Sequence, residues 1–548
     1  MDGWAHHLII APIALPLVAG ALLAVYSERR QFLKGLINLV STLSTLYIAI
    51  LLLQKADSSA ASVYLLGNWP APFGIVLVLD RLSALMLLLT SVLACASLIF
   101  SLARWHTAGA HFHTLFQFLL MGVNGTFLTG DLFNLFVFFE VMLASSYGLL
   151  LHGSGPRRVQ ASLHYIVVNL TASFFFLVGV SLVYGVTGTL NMADLAVRIP
   201  ALSAENRMLL QAAAAILGIA FLTKAAMWPL GFWLLSAYPA AAAPVAAVFA
   251  VLSKVGIYVL LRLSPMLFGA PAGEGAGFGS TLLLAGGLAT IAFGILGVLA
   301  SQAMARIAGF CLLVSSGTLL AAVGLSDPEI TGGALLYLVS STLTIGAFFL
   351  LIELIERGQN PGADVIATTA EALRENEQGE DVEDGGEEGE VGTGYAGTPA
   401  ILGACFVGCA LLLIGLPPMS GFVAKLALLA ALLAPAGQGA AAGIPMANWI
   451  FTVLLLLSGL AALLTLSRVG IRAFWAPVDA VIPRVLVVEF VPVIALLLLT
   501  LGLVIQGGPV MRYLDETARA VHAPSSYVER VLAAPRVPAP KVPGEAGR

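Results

Sequence analysis

The chain has 548 residues, 59% of them hydrophobic and 10% charged, with a formal net charge of −4. Soluble domains carry about 25% charged residues, so this composition excludes a water-soluble enzyme, a nucleic-acid binder and a disordered chain. It fits an all-α polytopic membrane protein whose spans need ~20 apolar residues each.

The opening MDGWAHHLIIAPIALPLVAG lacks a basic leader and its apolar run continues to Tyr26, which predicts a retained first span. Apolar runs at 8–27, 32–54, 76–103, 112–130, 131–151, 159–187, 208–235, 239–262, 279–301, 305–325, 330–356, 399–432, 447–467 and 485–506 predict about fourteen transmembrane helices. The segment VYLLGNWPAPFGIVLVL (63–79) alternates around Pro and Gly and predicts an extramembrane hairpin leading into span three. Asp131 opens span five in a helix-capping position. The organisation read from this pattern runs 1–111 (spans one to three), 112–262 (spans four to eight), 263–356 (spans nine to eleven), 357–398 (a loop), 399–471 (spans twelve and thirteen), 472–506 (span fourteen) and 507–548 (a tail).

Residues 357–398 hold 11 acids and 2 arginines and almost no large apolar residues, which predicts a disordered acidic loop. Odd-numbered loops carry twelve Lys and Arg against five in even-numbered loops, so the odd loops are expected in the cytoplasm of a bacterial cell. Among these loop bases are Lys34, Arg262 and Arg357. The four cysteines lie in apolar runs. Cys405 and Cys409 are one turn apart, without the further ligands a metal centre needs, so no metal or other cofactor is expected.

Four charges fall deep inside apolar runs: Glu140, Lys224, Lys254 and Lys425. Each costs roughly 2.5–3.5 kcal/mol at mid-bilayer on insertion scales, so the set predicts a proton or ion path. A static Glu140–Lys224 pair accounts for two of them, but Lys254 and Lys425 have no acidic partner in the reading of the spans. Lysine suits proton relay because a desolvated amine loses its proton and a nearby carboxylate restores it, whereas Arg stays charged. Lys224 precedes Pro229 by five residues, and Pro417, Pro418 and Gly421 precede Lys425. Proline frees backbone groups that a membrane tolerates only where they are buried in protein or line a wet cavity. The two breaks predict discontinuous spans seven and twelve at matching places in two inverted five-helix repeats. His164, with Asn169 and Thr171, is a further candidate relay in span six, and Ser340, Ser341, Thr342 and Thr344 are candidates to line a wet path in span eleven. Helix–helix hydrogen bonding explains these polar groups nearly as well.

Several segments, DLFNLFVFFEVMLASSYGLLLHG (131–153), SLHYIVVNLTASFFFLVGVSLVYGVTGTLNMADLA (162–196), KAAMWPLGFWLLSAYPAAAAPVAAVFAVLSKVGIYVLLR (224–262) and GLPPMSGFVAKL (415–426), closely resemble the D-type chain of the Mrp- and Pha-type multisubunit cation/proton antiporters. The wider superfamily includes proton-pumping membrane subunits of respiratory complex I and related hydrogenases. The resemblance implies that Glu140 and Lys224 form a switching pair, Lys254 a central relay and Lys425 a group facing a half-channel. It also implies monovalent cation/proton antiport in the cell membrane, with a homologous A-type chain and the small B, C, E, F and G membrane chains of the antiporter as partners. The alternative is a proton-pumping subunit of a redox complex, which uses the same four residues. The acidic insert at 357–398 departs from the family pattern.

Overall fold

The computed structural model describes residues 7–58, 61–359, 397–433, 444–474 and 485–536. Its helices are α1 (Ala11–Val25), α2 (Gln31–Ser58), α3 (Arg81–Ser101), α4 (Phe112–Leu128), α5 (Leu132–Leu151), α6 (Pro156–Thr187), α7 (Met192–Arg198), α8 (Ala204–Lys224), α9 (Phe232–Ala237) and α10 (Ala243–Phe268). They continue with α11 (Ser280–Ala300), α12 (Met304–Leu325), α13 (Pro328–Gln359), α14 (Thr398–Ile414), α15 (Ser420–Leu433), α16 (Met446–Phe474), α17 (Val487–Ile505), α18 (Gly507–His522) and α19 (Ser525–Leu532). Eleven of the described helices are long and apolar enough to cross a membrane, and α1, α14 and α15 are shorter apolar helices.

The expected hairpin is present. β1 (Ser62–Leu65) pairs antiparallel with β2 (Val76–Leu79), Ser62 opposite Leu79. The helical part of span three therefore starts at Arg81, capped by the Asp80 side chain, rather than at residue 76. Asp131 caps α5 by accepting from the Phe133 and Asn134 amides, as expected from its place. The expected tail instead carries α18 and α19, whose apolar faces bury Leu514, Ala518, Val521, Tyr527 and Val531. The expected acidic loop falls largely on 360–396, outside the described residues.

Three helices form the centre. α10 is buried along its whole apolar window, and α12 and α13 nearly so. α13 is the hub: it packs on α10, α12, α14, α15, α17 and α18. A helix enclosed in this way has no lipid-facing side, so any polar side chain it carries must be satisfied within the protein.

Charged clasps close both ends of this centre. At one end Arg262, two turns beyond Lys254 on α10, forms a two-pronged ion pair with Asp80, sits over the Tyr258 and Tyr527 rings and donates to the Tyr258 hydroxyl. At the other end Arg357 pairs with Glu353 and with the fully buried Glu489, while the Trp105 indole also donates to Glu353 at 2.6 Å. Arg262 and Arg357 are thus helical rather than loop residues. Lys34 is likewise helical: it is buried in the first turn of α2 and bound to Glu28 at 2.6 Å. Hydropathy windows place such residues outside the spans because they lie near helix ends, yet a buried charge there is tolerated when it is paired.

Arg262→Ala would leave the Asp80 carboxylate without its partner at the end of α10. The expected loss is about 3–5 kcal/mol of stability, read by thermal unfolding of the detergent-solubilised protein, with the double replacement D80N/R262A recovering most of it.

Candidate functional site

The first break in the helical path runs from Ala225 to Gly231, directly after Lys224. Two side chains bond its backbone. The Trp228 amide donates to Thr290 Oγ1 at 2.9 Å, and the Trp233 indole donates to the Thr223 carbonyl at 3.0 Å. Pro229, in the middle of this break, contributes no amide to be satisfied.

The second break runs from Gly415 to Met419 and contains Pro417 and Pro418. Gly415 ends α14 in the left-handed conformation, with φ of 82°. Gly421 lies where α15 folds back on α14, and a Cβ there would strike the Leu412 carbonyl. Here the freed carbonyls are taken by the lysine itself: Lys425 Nζ donates to Ile414 at 2.8 Å and to Leu413 at 3.3 Å. The carbonyl end of a helix carries partial negative charge, so α14 offers the ammonium a favourable seat.

All three mid-membrane lysines are enclosed, with 4% exposure at Lys224, 0% at Lys254 and 9% at Lys425. Snorkelling to the surface is therefore not their solution. Each has a different one. Lys224 donates to Asn169 Oδ1 at 2.8 Å, and Asn169 in turn donates to the Tyr165 carbonyl at 2.8 Å. Lys254 donates to Ser315 Oγ at 2.8 Å, with Ser316 Oγ at 3.5 Å. Lys425 binds the backbone carbonyls just described.

Glu140 and Lys224 do not form a direct ion pair. They interact only at longer range, and Glu140 Oε1 is buried without a hydrogen-bond partner among the described residues. The switching pair implied by the resemblance is thus separated here, with Asn169 holding the ammonium instead. The rings of Phe139, one residue before Glu140, of Phe176 and of Phe221, three residues before Lys224, pack together at 5.3–6.2 Å.

The first break packs closely on α10. A Cβ at Gly256 would lie 2.6 Å from the Ala225 nitrogen, two residues along from Lys254. Beyond Lys254 the polar groups continue: Ser315 Oγ lies 2.9 Å from Ser341 Oγ. Ser341, Ser340 and Thr344 line a cavity of about 30 Å³ together with Lys425, Tyr337 and Ser458. Ser340 also bonds Ser420, the first residue of α15, at 2.8 Å. Thr342 turns away and donates to the Leu338 carbonyl of its own helix.

His164 does not join this line. It is exposed on α6, with Nδ1 3.2 Å from Ser236 Oγ, and Thr171 donates to the Val167 carbonyl. At about 100° per residue, position 164 lies on the opposite side of α6 from position 169, so only Asn169 reaches the interior. Ser315 and Ser316 were missed by sequence reasoning. Two adjacent hydroxyls in the apolar run CLLVSSGTLL (311–320) were the available signal.

Comparisons with known proteins agree with the family resemblance. Residues 129–373 match the family model described as NADH:quinone oxidoreductase/Mrp antiporter, transmembrane. A probable D-type chain of a K(+)/H(+) antiporter from Rhizobium meliloti is 58% identical over 98% of this chain and 99% of its own. The D-type chain of the Na(+)/H(+) antiporter of Alkalihalophilus pseudofirmus is 33% identical over 96% of this chain and 99% of its own. Among solved structures, a chain of the Mrp complex from Dietzia aligns over 97% of this chain and all of its own length, with a TM-score of 0.79 and 29% identity. A chain of Thermus thermophilus respiratory complex I shares the fold, with a TM-score of 0.71 at 21% identity over 96% of this chain and 99% of its own.

Asn169→Leu removes the acceptor of the Lys224 ammonium. A hydrogen bond to a charged group is worth about 1.5–3 kcal/mol, so transport by the assembled complex is expected to fall about tenfold or more, while Thr171→Val on the same helix leaves it unchanged. Cation-dependent proton movement in everted vesicles is the measurement.

Proposed function

The chain belongs to the D-type family of the Mrp multisubunit cation/proton antiporters, and from that premise we propose that it carries protons along Glu140, Lys224, Lys254 and Lys425. It is a multi-pass bacterial membrane protein and a transporter subunit rather than an enzyme. The cation exchanged is sodium or potassium. The partners are a homologous A-type chain and the small B, C, E, F and G membrane chains.

The observation that carries the relay is Lys254. It is fully buried in the most enclosed helix, has no carboxylate within ion-pair distance among the described residues, and is bonded only to hydroxyls that lead toward Lys425. A structural ion pair does not account for it. An amine that alternates between charged and neutral forms does, because burial favours the neutral amine and a neighbouring charge restores the ammonium. In this reading the two breaks occupy corresponding places in two inverted five-helix repeats within a chain of fourteen crossings. Each places an amine beside backbone that is not locked in a helical ladder. The separation of Glu140 from Lys224 is one position of a switch. Passage of the cation, here or in a neighbouring chain of the complex, moves the carboxylate toward or away from the amine.

Lys224→Arg separates a relay from a static pair. Arg keeps the charge but does not release its proton, so antiport in the whole complex is expected to fall by about a hundredfold, as it does in Lys224→Ala and Glu140→Ala. Wild-type antiport in Lys224→Arg, assayed in vesicles of an antiporter-deficient strain, overturns the relay in favour of a structural pair.

A further inference from the structure

Serines inside apolar helices usually return their hydroxyl to a carbonyl three or four residues back. In this core Thr318, Thr342 and Thr344 do so, donating to Val314, Leu338 and Ser340. Ser315 does not. Its bonds are to Lys254 Nζ on α10 at 2.8 Å and to Ser341 Oγ on α13 at 2.9 Å, so the hydroxyl bridges three helices. Ser341 has only a long 3.4 Å approach to the Leu338 carbonyl and otherwise faces the cavity beside Lys425. That cavity, of about 30 Å³, exceeds the ~10–15 Å³ that one water requires. Its wall includes Lys425, Ser340, Ser341, Thr344, Tyr337 and Ser458 among apolar neighbours, so a water there has polar side chains within the same wall.

We propose that Ser315 and Ser341 are proton-relay residues, a two-hydroxyl wire that joins Lys254 to the water-sized cavity at Lys425. The proposal rests on the lysine relay and names the atoms by which its middle step proceeds. A hydroxyl accepts and donates at once, so it can pass a proton without holding a charge. The charged Lys254 gives a proton to Ser315 Oγ as Ser315 gives its own to Ser341 Oγ. Ser341 gives its own proton to a cavity water, and that water gives one to the neutral amine of Lys425. Each oxygen ends with the protons it began with. Lys254 is left neutral and Lys425 charged, and rotation of the two hydroxyls resets the wire. The charged Lys425 then has its seat ready on the Ile414 and Leu413 carbonyls.

The test uses the complete antiporter complex in everted vesicles, with assembly checked on native gels. S315A and S341A are each expected to lower cation-dependent proton movement by about tenfold or more. The double variant S315A/S341A is expected to fall no further, because one wire is broken once. S341T, which keeps the hydroxyl, restores most of the rate, and T342V, on the same helix but bonded to its own backbone, stays at the wild-type rate. If an alanine variant fails to assemble, S341C replaces it, keeping the volume with a far weaker donor. Near wild-type rates in S315A and S341A, alongside inactive K254A and K425A, overturn the wire and leave the lysine relay standing. Losses that multiply in the double variant also overturn it, since the two hydroxyls then act separately. Wild-type rates in K254A and K425A overturn the relay itself.

Discussion

Desolvation of ammonium groups organises this molecule. Hydrocarbon offers no hydrogen bonds, so every buried amine has to be given acceptors by the protein. The three lysines show three ways of doing so: a side-chain amide for Lys224, serine hydroxyls for Lys254 and free backbone carbonyls for Lys425. None of these acceptors is a carboxylate. A full negative charge would hold the ammonium firmly charged, whereas a neutral acceptor stabilises it without making loss of the proton prohibitive. Neutral acceptors thus suit both folding and the proposed relay.

The two breaks in the helical path show the same accounting on the backbone. At the first, Thr290 accepts from the Trp228 amide and Trp233 adds a second bond to the Thr223 carbonyl, which also accepts from the Ala226 amide, while Lys224 bonds Asn169. At the second, Lys425 itself covers the freed carbonyls. Local stability of the second break and the position of its lysine are thereby one and the same interaction. A movement of Lys425 away from α14 leaves both carbonyls without this donor.

Much of this was legible in the sequence. Glu140, Lys224, Lys254 and Lys425 stand out because each is a lone charge in a long apolar run, and the prolines beside two of them mark the breaks. The hairpin was legible from alternation around Pro and Gly. What could not be read was orientation around a helix and contact across helices. His164 and Asn169 look equivalent in a linear string, but one faces outward and the other holds Lys224. Ser315 is marked in the sequence only by its neighbour Ser316 in an apolar run, since its contacts depend on α10 and α13 lying beside it. Charges near helix ends were also misplaced. A hydropathy window gives Arg262 and Arg357 to loops, though both lie in helices and are paired with acids from distant parts of the chain. α18 and α19 escaped notice because their amphipathic faces are short and flanked by proline-rich sequence.

The complete enclosure of α10 bears on what kind of machine this fold can be. Carriers that work by rocking two halves past one another need an interface free to slide. A rod gripped on every side at interior packing density, and tethered near one end by Arg262, has no such freedom. If Lys254 relays protons as proposed, its turnover is expected to come from small rearrangements, such as hydroxyl rotation and exchange of single solvent molecules, that leave the scaffold still.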